Sequence, residues 1–305
     1  MIVDTPQGFR AALAHGGFEI AAPVAARAAF LVSPLGFRLS VESAEDNRYM
    51  EMGAAVSETR ALAEHAELAR ALAETLPVIA FAGDRATPDA VFPNNVFATA
   101  PGRLVVGRMR HAERRREAQR RDIRAFFARE LGREIVDLSG HDGLVAELTG
   151  PLVIDRGRRI GFCGLTERCD RAGAEAMHAA FGLALTFVFE LAPGEYHTNV
   201  VLSVLASRAV VLHAASFRDP EAPRAIAELY APRVLWLSDE EKAAFAGNCI
   251  ALSEHDLWMS DAAVSALRPA SRAALESWGF RLRSVPLAEI EKAGGSLRCC
   301  VAEIY

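Results

Sequence analysis

Short apolar runs and longer amphipathic stretches alternate along the chain. Phe30-Leu31-Val32 reads as a first strand, ended by Ser33-Pro34 because the residue before a proline is pushed out of the helical region. Ser40 to Arg48 is polar and without helical periodicity, which predicts a loop. Glu58 to Leu76 spaces Leu62, Leu68, Leu72 and Leu76 among alanines, an amphipathic helix stopped by Pro77, and Val78 to Phe81 is the next strand. The rhythm then recurs. Leu104–Val106 leads to a helix from about Ala112 to Leu131 and on to Ile135–Asp137. Leu152–Ile154 and Arg159–Cys163 pair across the turn Asp155-Arg156-Gly157-Arg158, followed by a helix from about Asp170 to Phe181 and the strand Thr186–Glu190. Asn199–Leu205, Ala209–Leu212, a helix from about Pro220 to Tyr230 and Val234–Trp236 repeat it. Asp239 to Phe245 opens with acids suited to a helix N-terminus. The last unit runs Cys249–Leu252, helix Ala262–Trp278, Phe280–Val285, a short helix Leu287–Glu291 and a terminal strand bearing Cys299 and Cys300.

About five strand-strand-helix-strand units follow one another with no Pro/Gly/Ser-rich linker between them. The pattern predicts a single α/β domain over 1–305, built from structural repeats that share no evident sequence similarity.

Composition narrows the function classes. The chain is 51% hydrophobic and 24% charged with a formal net charge of -5, ordinary for a soluble protein and unlike a nucleic-acid binder. The strongest basic run, Arg108 to Arg124, is interleaved with Glu113, Glu117 and Asp122 and reads as a solvated helix face. Five cysteines, an odd number and mostly far apart, do not form a disulfide framework, and none has zinc-site spacing. No apolar run approaches membrane-spanning length and no leader pattern is present, so a cytoplasmic setting is expected. A homodimer is compatible with the chain but nothing in it requires one.

Four stretches place polar groups where packing alone does not explain them. In Pro88 to Thr99 an acid, Asp89, and two amides, Asn94 and Asn95, sit among apolar residues; an Asx turn around Pro93 is the plainer account. Glu147 stands at the head of an apolar strand, suited to a carboxylate that receives a cation or proton, or else to a cap or the surface. His197 is followed at the alternate strand position by Asn199, which would put both on one face; a structural histidine fits as well. Finally, Gly294-Gly295 gives the backbone freedom to present the thiols of Cys299 and Cys300, which could equally be small hydrophobes of a terminal strand. A thiol, an imidazole and a carboxylate on separate strand ends are the groups covalent catalysis needs.

In Asp89 to Thr99, Glu147 to Asp155, Gly164 to Asp170, His197-Thr198-Asn199 and Gly294 to Glu303, in that order, the chain resembles the guanidine-modifying enzymes. This is the superfamily of arginine deiminase, dimethylarginine dimethylaminohydrolase and the amidinotransferases, and the likeness is greatest to bacterial amidinotransferase-like arginine or citrulline hydrolases. The resemblance implies a five-bladed β/α propeller, the pentein fold, with the active site in its central channel. It implies Cys299 as nucleophile on the central carbon of a guanidinium or ureido group, His197 as acid and base, and Glu147 and Asp89 as anions holding substrate nitrogens. Arg168 would fork onto the substrate carboxylate, Arg114 or Arg115 would assist, and Asn47 matches an asparagine used near the first-strand loop. Cys300 falls where an ordinary apolar residue is usual.

Two departures from the deiminase pattern matter. Asn95 and Asn199 stand where deiminases carry aspartates, and an amide can both donate to and accept from a neutral ureido group. The expectation is hydrolysis of a C–N bond in an arginine-like or citrulline-like amino acid through a covalent cysteine intermediate. Transfer of the amidino group to an amine, and a propeller that binds without turnover, are the alternatives. No metal or organic cofactor is implied, since a thiol and an imidazole suffice, and the only partner expected is the small-molecule substrate, with neither nucleic acid nor membrane.

Overall fold

The computed structural model describes residues 1–305. Five sheets form five blades, each repeating one arrangement: a first strand antiparallel to the second, and a helical crossover that returns the third parallel to the second. The second blade is Phe97–Ala100, Arg103–Val106 and Glu134–Asp137. The third is Leu152–Asp155, Ile160–Leu165 and Leu185–Glu190, with Ile2–Val3 added at its edge. The fourth is Leu202–Leu205, Ala209–Leu212 and Val234–Trp236; the fifth is Ile250–Ala251, Asp256–Ser260 and Arg281–Val285. In the first blade the ring closes, because the strand antiparallel to Ala28–Val32 is Ala302–Ile304, with Val78–Phe81 parallel on the other side. This is the pentein propeller.

The core lies between blades as five wedges. Ala29 and Leu31 belong to the apolar cluster shared with the fifth blade, whereas Phe30 and Val32 belong to the cluster shared with the second. Val210 and Leu212 pack towards the third blade, Ala209 and Val211 towards the fifth. A strand buried on both faces has no polar side, so it reads as an unbroken apolar run. Each large side chain withdrawn from water contributes roughly 2 kcal/mol, so either face is strongly held.

Several expectations need correction. Ser40 caps a helical turn, Val41–Ala44, inside the stretch read as loop. The helix expected over Ala112–Leu131 is broken into Ala112–Arg115, Glu117–Gln119, Arg121–Ala125 and a wider turn at Phe126–Glu130. The break follows the burial of Arg114 and Glu117, each 2% exposed, so this basic run is only in part a solvated face. Pro269 divides Ala262–Trp278 into Asp261–Ala266 and Pro269–Ser277, since Arg268 before it cannot stay helical. The strand Asp256–Ser260 was hidden by the polar Ser253-Glu254-His255 before it and the helix after it. Cys299 and Cys300 are in a helical turn, Leu297–Cys300, ahead of the last strand. His197 and Asn199 flank and enter a helical turn, Thr198–Val200, so strand alternation is not what relates them. No helix is long and apolar enough to cross a membrane.

Candidate active site

The five inner strands all begin at one end of the propeller, and the residues just before them meet around the axis. Their polar groups form a chain of hydrogen bonds from blade to blade. Thr149 Oγ1 donates to the Asn94 carbonyl (3.0 Å), and Asn199 Nδ2 donates to the Thr149 carbonyl (2.9 Å) while its backbone N donates to Gly150 O (3.0 Å). Asn248 Nδ2 donates to the Asn199 carbonyl (2.8 Å), and the backbone N of Cys299 donates to Asn248 Oδ1 (3.3 Å). The repeat therefore delivers one residue per blade to a common ring, and the first blade's contribution is the thiol.

Cys299 Sγ accepts from Asn248 Nδ2 at 3.2 Å and lies 3.8 Å from Asn199 Oδ1. Burial pushes its thiol above the ordinary range, and the Asn248 hydrogen bond works against that rise. Its neighbour Cys300 sits in the apolar wedge between the first and fifth blades, where burial holds it as a neutral thiol. All five cysteines are unpaired.

Glu147 and His197 form a buried pair, with Nε2 of the ring 3.0 Å from Oε2 and both side chains fully enclosed. Burial alone would raise the Glu147 pKa, but the charge of Arg168 and the His197 hydrogen bond outweigh it and hold the carboxyl well below its usual range. Burial pulls the imidazole down, with Glu147 opposing. A neutral ring donating through Nε2 leaves Nδ1 a bare acceptor, and Nδ1 has no partner in the chain. Two features fix this geometry. Leu148, between Glu147 and Thr149, adopts φ 34°, a left-handed backbone that a leucine holds only under constraint. A Cβ on Gly150 would stand 2.7 Å from the His197 ring, so only glycine lets the imidazole approach.

A cavity of about 20 Å³, room for a water and no more, is lined by Ser43, Asn47, Asp89, Phe92, Asn95, Arg114, Arg168, Tyr196, Ala293, Gly295 and Cys299. Asp89 Oδ2 accepts from Ser43 Oγ (2.5 Å), while its Oδ1 has no partner, and burial drives the carboxyl's pKa up against the pull of Arg114. Nine buried side-chain polar atoms in the whole chain lack a partner; two, Asp89 Oδ1 and Asn95 Oδ1, belong to residues lining this cavity, and two more, Asn94 Oδ1 and His197 Nδ1, belong to the hydrogen-bonded ring and the Glu147 pair. Buried polar groups are ordinarily satisfied, so this concentration marks a place shaped for something else.

The structure sorts the remaining candidates. Asn47 lines the cavity and donates weakly to the Gly294 carbonyl (3.4 Å). Arg168 lines it too, but its donors are engaged. Nε and Nη2 reach Asp46 at 2.8 and 2.5 Å, Nη2 reaches Ser43 O at 2.9 Å, and Nη1 reaches Glu147 Oε2 at 3.2 Å. Most of its donors are thus held by the chain's own acceptors, and it braces Glu147 and Asp46 while lining the cavity. Arg114 chelates Glu117 through Nε and Nη2 (3.0 and 2.9 Å) and leaves Nη1 uncommitted. Arg115 is outside the group: its side chain turns away to the Met109 carbonyl at 2.8 Å and the residue is exposed. The residues sequence reasoning missed are Asn248, Thr149 and Asp46; Asn248 occurs just before an inner strand, as Asn199 does, and that shared position was its signal.

Against solved structures, the N-terminal domain of ArgZ, an arginine dihydrolase from Cyanobacteria, superposes with a TM-score of 0.79 at 21% identity, over 91% of this chain and 97% of that one. Unliganded AgrE gives 0.79 at 22%, over 91% of this chain but 39% of AgrE, and this chain likewise spans 40% of full-length ArgZ. DDAH from Pseudomonas aeruginosa gives 0.72 at 18%, over 92% and 100%. At such identities the likeness is one of fold. No curated protein matches in sequence. The family model described as N,N dimethylarginine dimethylhydrolase, eukaryotic, matches residues 33–305. The chain belongs to that family, hydrolases of a guanidino compound.

Proposed function

We propose that this hydrolase acts on an arginine-like or citrulline-like amino acid, with Cys299 as nucleophile. The observation that carries the reading is that the cavity wall bearing the Cys299 thiol also bears the unpartnered oxygens of Asp89 and Asn95. These acceptors suit a planar, nitrogen-rich group and leave its central carbon to the sulfur. The thiol proton passes to His197 Nδ1 as Sγ bonds to that carbon. The imidazolium then gives the proton to the departing nitrogen, leaving an S-linked thiouronium. Neutral again, the ring takes a proton from the water that breaks the C–S bond, and the thiol is restored. Glu147 stabilises the transient imidazolium, and Arg168 holds Glu147 in place. Arg114, through its uncommitted Nη1, is the cation left to receive the substrate carboxylate. Asn199 steadies the ring beneath the sulfur.

Similar folds support the substrate class: one ArgZ structure is described as bound to substrate, and the Pseudomonas aeruginosa DDAH as complexed with citrulline. The reading takes 1–305 as one catalytic domain working in the cytoplasm without a nucleic-acid partner.

Purified protein incubated with arginine, citrulline, dimethylarginine and agmatine, while ammonia, urea, alkylamine, citrulline and ornithine are followed, tests it. Product without any added amine acceptor is expected, and Cys299→Ser is expected to abolish it. Product only with an acceptor would make the protein a transferase, and no product from any substrate would make it a binding propeller.

A further inference from the structure

A second cavity, of about 460 Å³, opens at the other end of the propeller. It is framed by the residues that follow the inner strands: Ala100 to Arg103 after the second blade's, Arg156 after the third's, Tyr305 after the first's. Five of its sixteen lining residues are arginines, Arg27, Arg103, Arg133, Arg156 and Arg159, and none is acidic. In a chain of net charge -5 this is a local reversal of sign.

The chain neutralises this charge only at two of the five arginines. Arg103 pairs with Glu134 at 3.1 Å on the exposed rim. Arg133 donates to the Ala100 carbonyl (3.4 Å) and to the main-chain carboxyl oxygen of Tyr305 (2.6 Å), and Arg156 donates to Thr99 O (2.8 Å) while packing over the Tyr305 ring at 4.2 Å. Arg27 and Arg159 have no side-chain hydrogen bond and no ion pair. Like charges in a concave, partly apolar pocket repel one another and focus a positive potential there, which an anion relieves. Such an arrangement does not help the fold. It is the arrangement that recognises carboxylate or phosphate, which guanidinium binds in paired hydrogen bonds. Ile154, Phe181, Leu183 and Pro23 supply an apolar wall for a carbon frame.

We infer that this far-mouth cavity is a binding site for a small organic polyanion, a molecule with two or more carboxylate or phosphate groups. The inference is independent of the chemistry proposed for Cys299.

The test is calorimetric titration of the full chain at low ionic strength with citrate, inorganic pyrophosphate and ATP, repeated on Arg27→Ser/Arg159→Asn. Asparagine tolerates the left-handed backbone at Arg159 (φ 56°), and neither replaced side chain holds the fold together. At least one probe should saturate with a Kd at or below about 1 mM and raise the wild-type Tm. The double variant should bind it at least about tenfold more weakly, with an unliganded Tm equal to or above that of the wild type. Citrate alone would identify carboxylates as the recognised groups, pyrophosphate or ATP alone phosphates. Absence of saturation by all three, or equal binding by the double variant, overturns the assignment.

Discussion

Asn248 holds Cys299 from two sides, its Nδ2 donating to the sulfur at 3.2 Å and its Oδ1 accepting from the same residue's backbone N at 3.3 Å. One amide thus fixes the turn that presents the thiol and stabilises negative charge on it. Burial raises the thiol's pKa, so at neutral pH the free enzyme keeps the thiol proton that passes through His197 to the departing nitrogen, and kcat/KM is expected to fall only once alkali ionises the thiol. Asn248→Asp is nearly isosteric but replaces the donor with a negative charge. It should move that fall to still higher pH and lower kcat at neutral pH by about 10- to 100-fold. A pH–rate profile that coincides with the wild type after substitution would show that Asn248 does not act on the sulfur.

The two adjacent thiols should separate cleanly. Cys299→Ser is expected to lose turnover with little change in Tm, whereas Cys300→Ser should keep most of its turnover. Cys300 lies in an apolar wedge, so the new hydroxyl should cost about 1–2 kcal/mol in urea unfolding. Equal loss of activity in both variants would remove Cys299 from its assigned role.

Gly150 gives the sharpest test of the imidazole's placement. Gly150→Ala leaves the backbone conformation allowed, since no left-handed φ is required there, but sets a methyl 2.7 Å from the His197 ring. The ring must shift, and a misplacement of that order should lower kcat by about 100-fold while KM moves little. Single-turnover kinetics with dimethylarginine or arginine distinguish slowed chemistry from weakened binding.

Acid should weaken the fold at a position remote from catalysis. His65, on the helix Glu58–Leu72, is buried with Nε2 unpartnered, and burial lowers its pKa to about 4. The unfolded chain takes up a proton near pH 6.5 that the folded chain refuses until about 4. Stability is therefore whole above the upper value and declines as pH falls through the window, by at most roughly 3 kcal/mol. Urea unfolding of His65→Leu should show a flatter decline between pH 6.5 and 4; an unchanged slope would point to another group.

Much of this architecture was legible in the chain. Phe30-Leu31-Val32 and Ala209–Leu212 read as strands because both faces are buried, and an apolar run survives any error of register. Breaks inside helices were less visible, since the burial of Arg114 with Glu117 looks, in one dimension, like an ordinary ion pair on a surface. Glu147, His197 and Cys299 stood out as charged or reactive groups among apolar neighbours. Asn248 did not, because an uncharged amide before a strand resembles any turn residue, and only the ring of hydrogen bonds gives it meaning. Arg168 stood out as well, but its ion pair with Asp46 did not, because the two are 122 positions apart in sequence and 2.5 Å apart in space.

Because Ala302–Ile304 supplies the missing partner of Ala28–Val32, the first blade is completed only by residues that come after all four other blades in the chain. A nascent polypeptide on the ribosome can hold four complete blades and still have neither a closed circle nor a nucleophile in position. Latching the circle and arming the enzyme are one event, and deleting Leu297–Ile304 would disable both together.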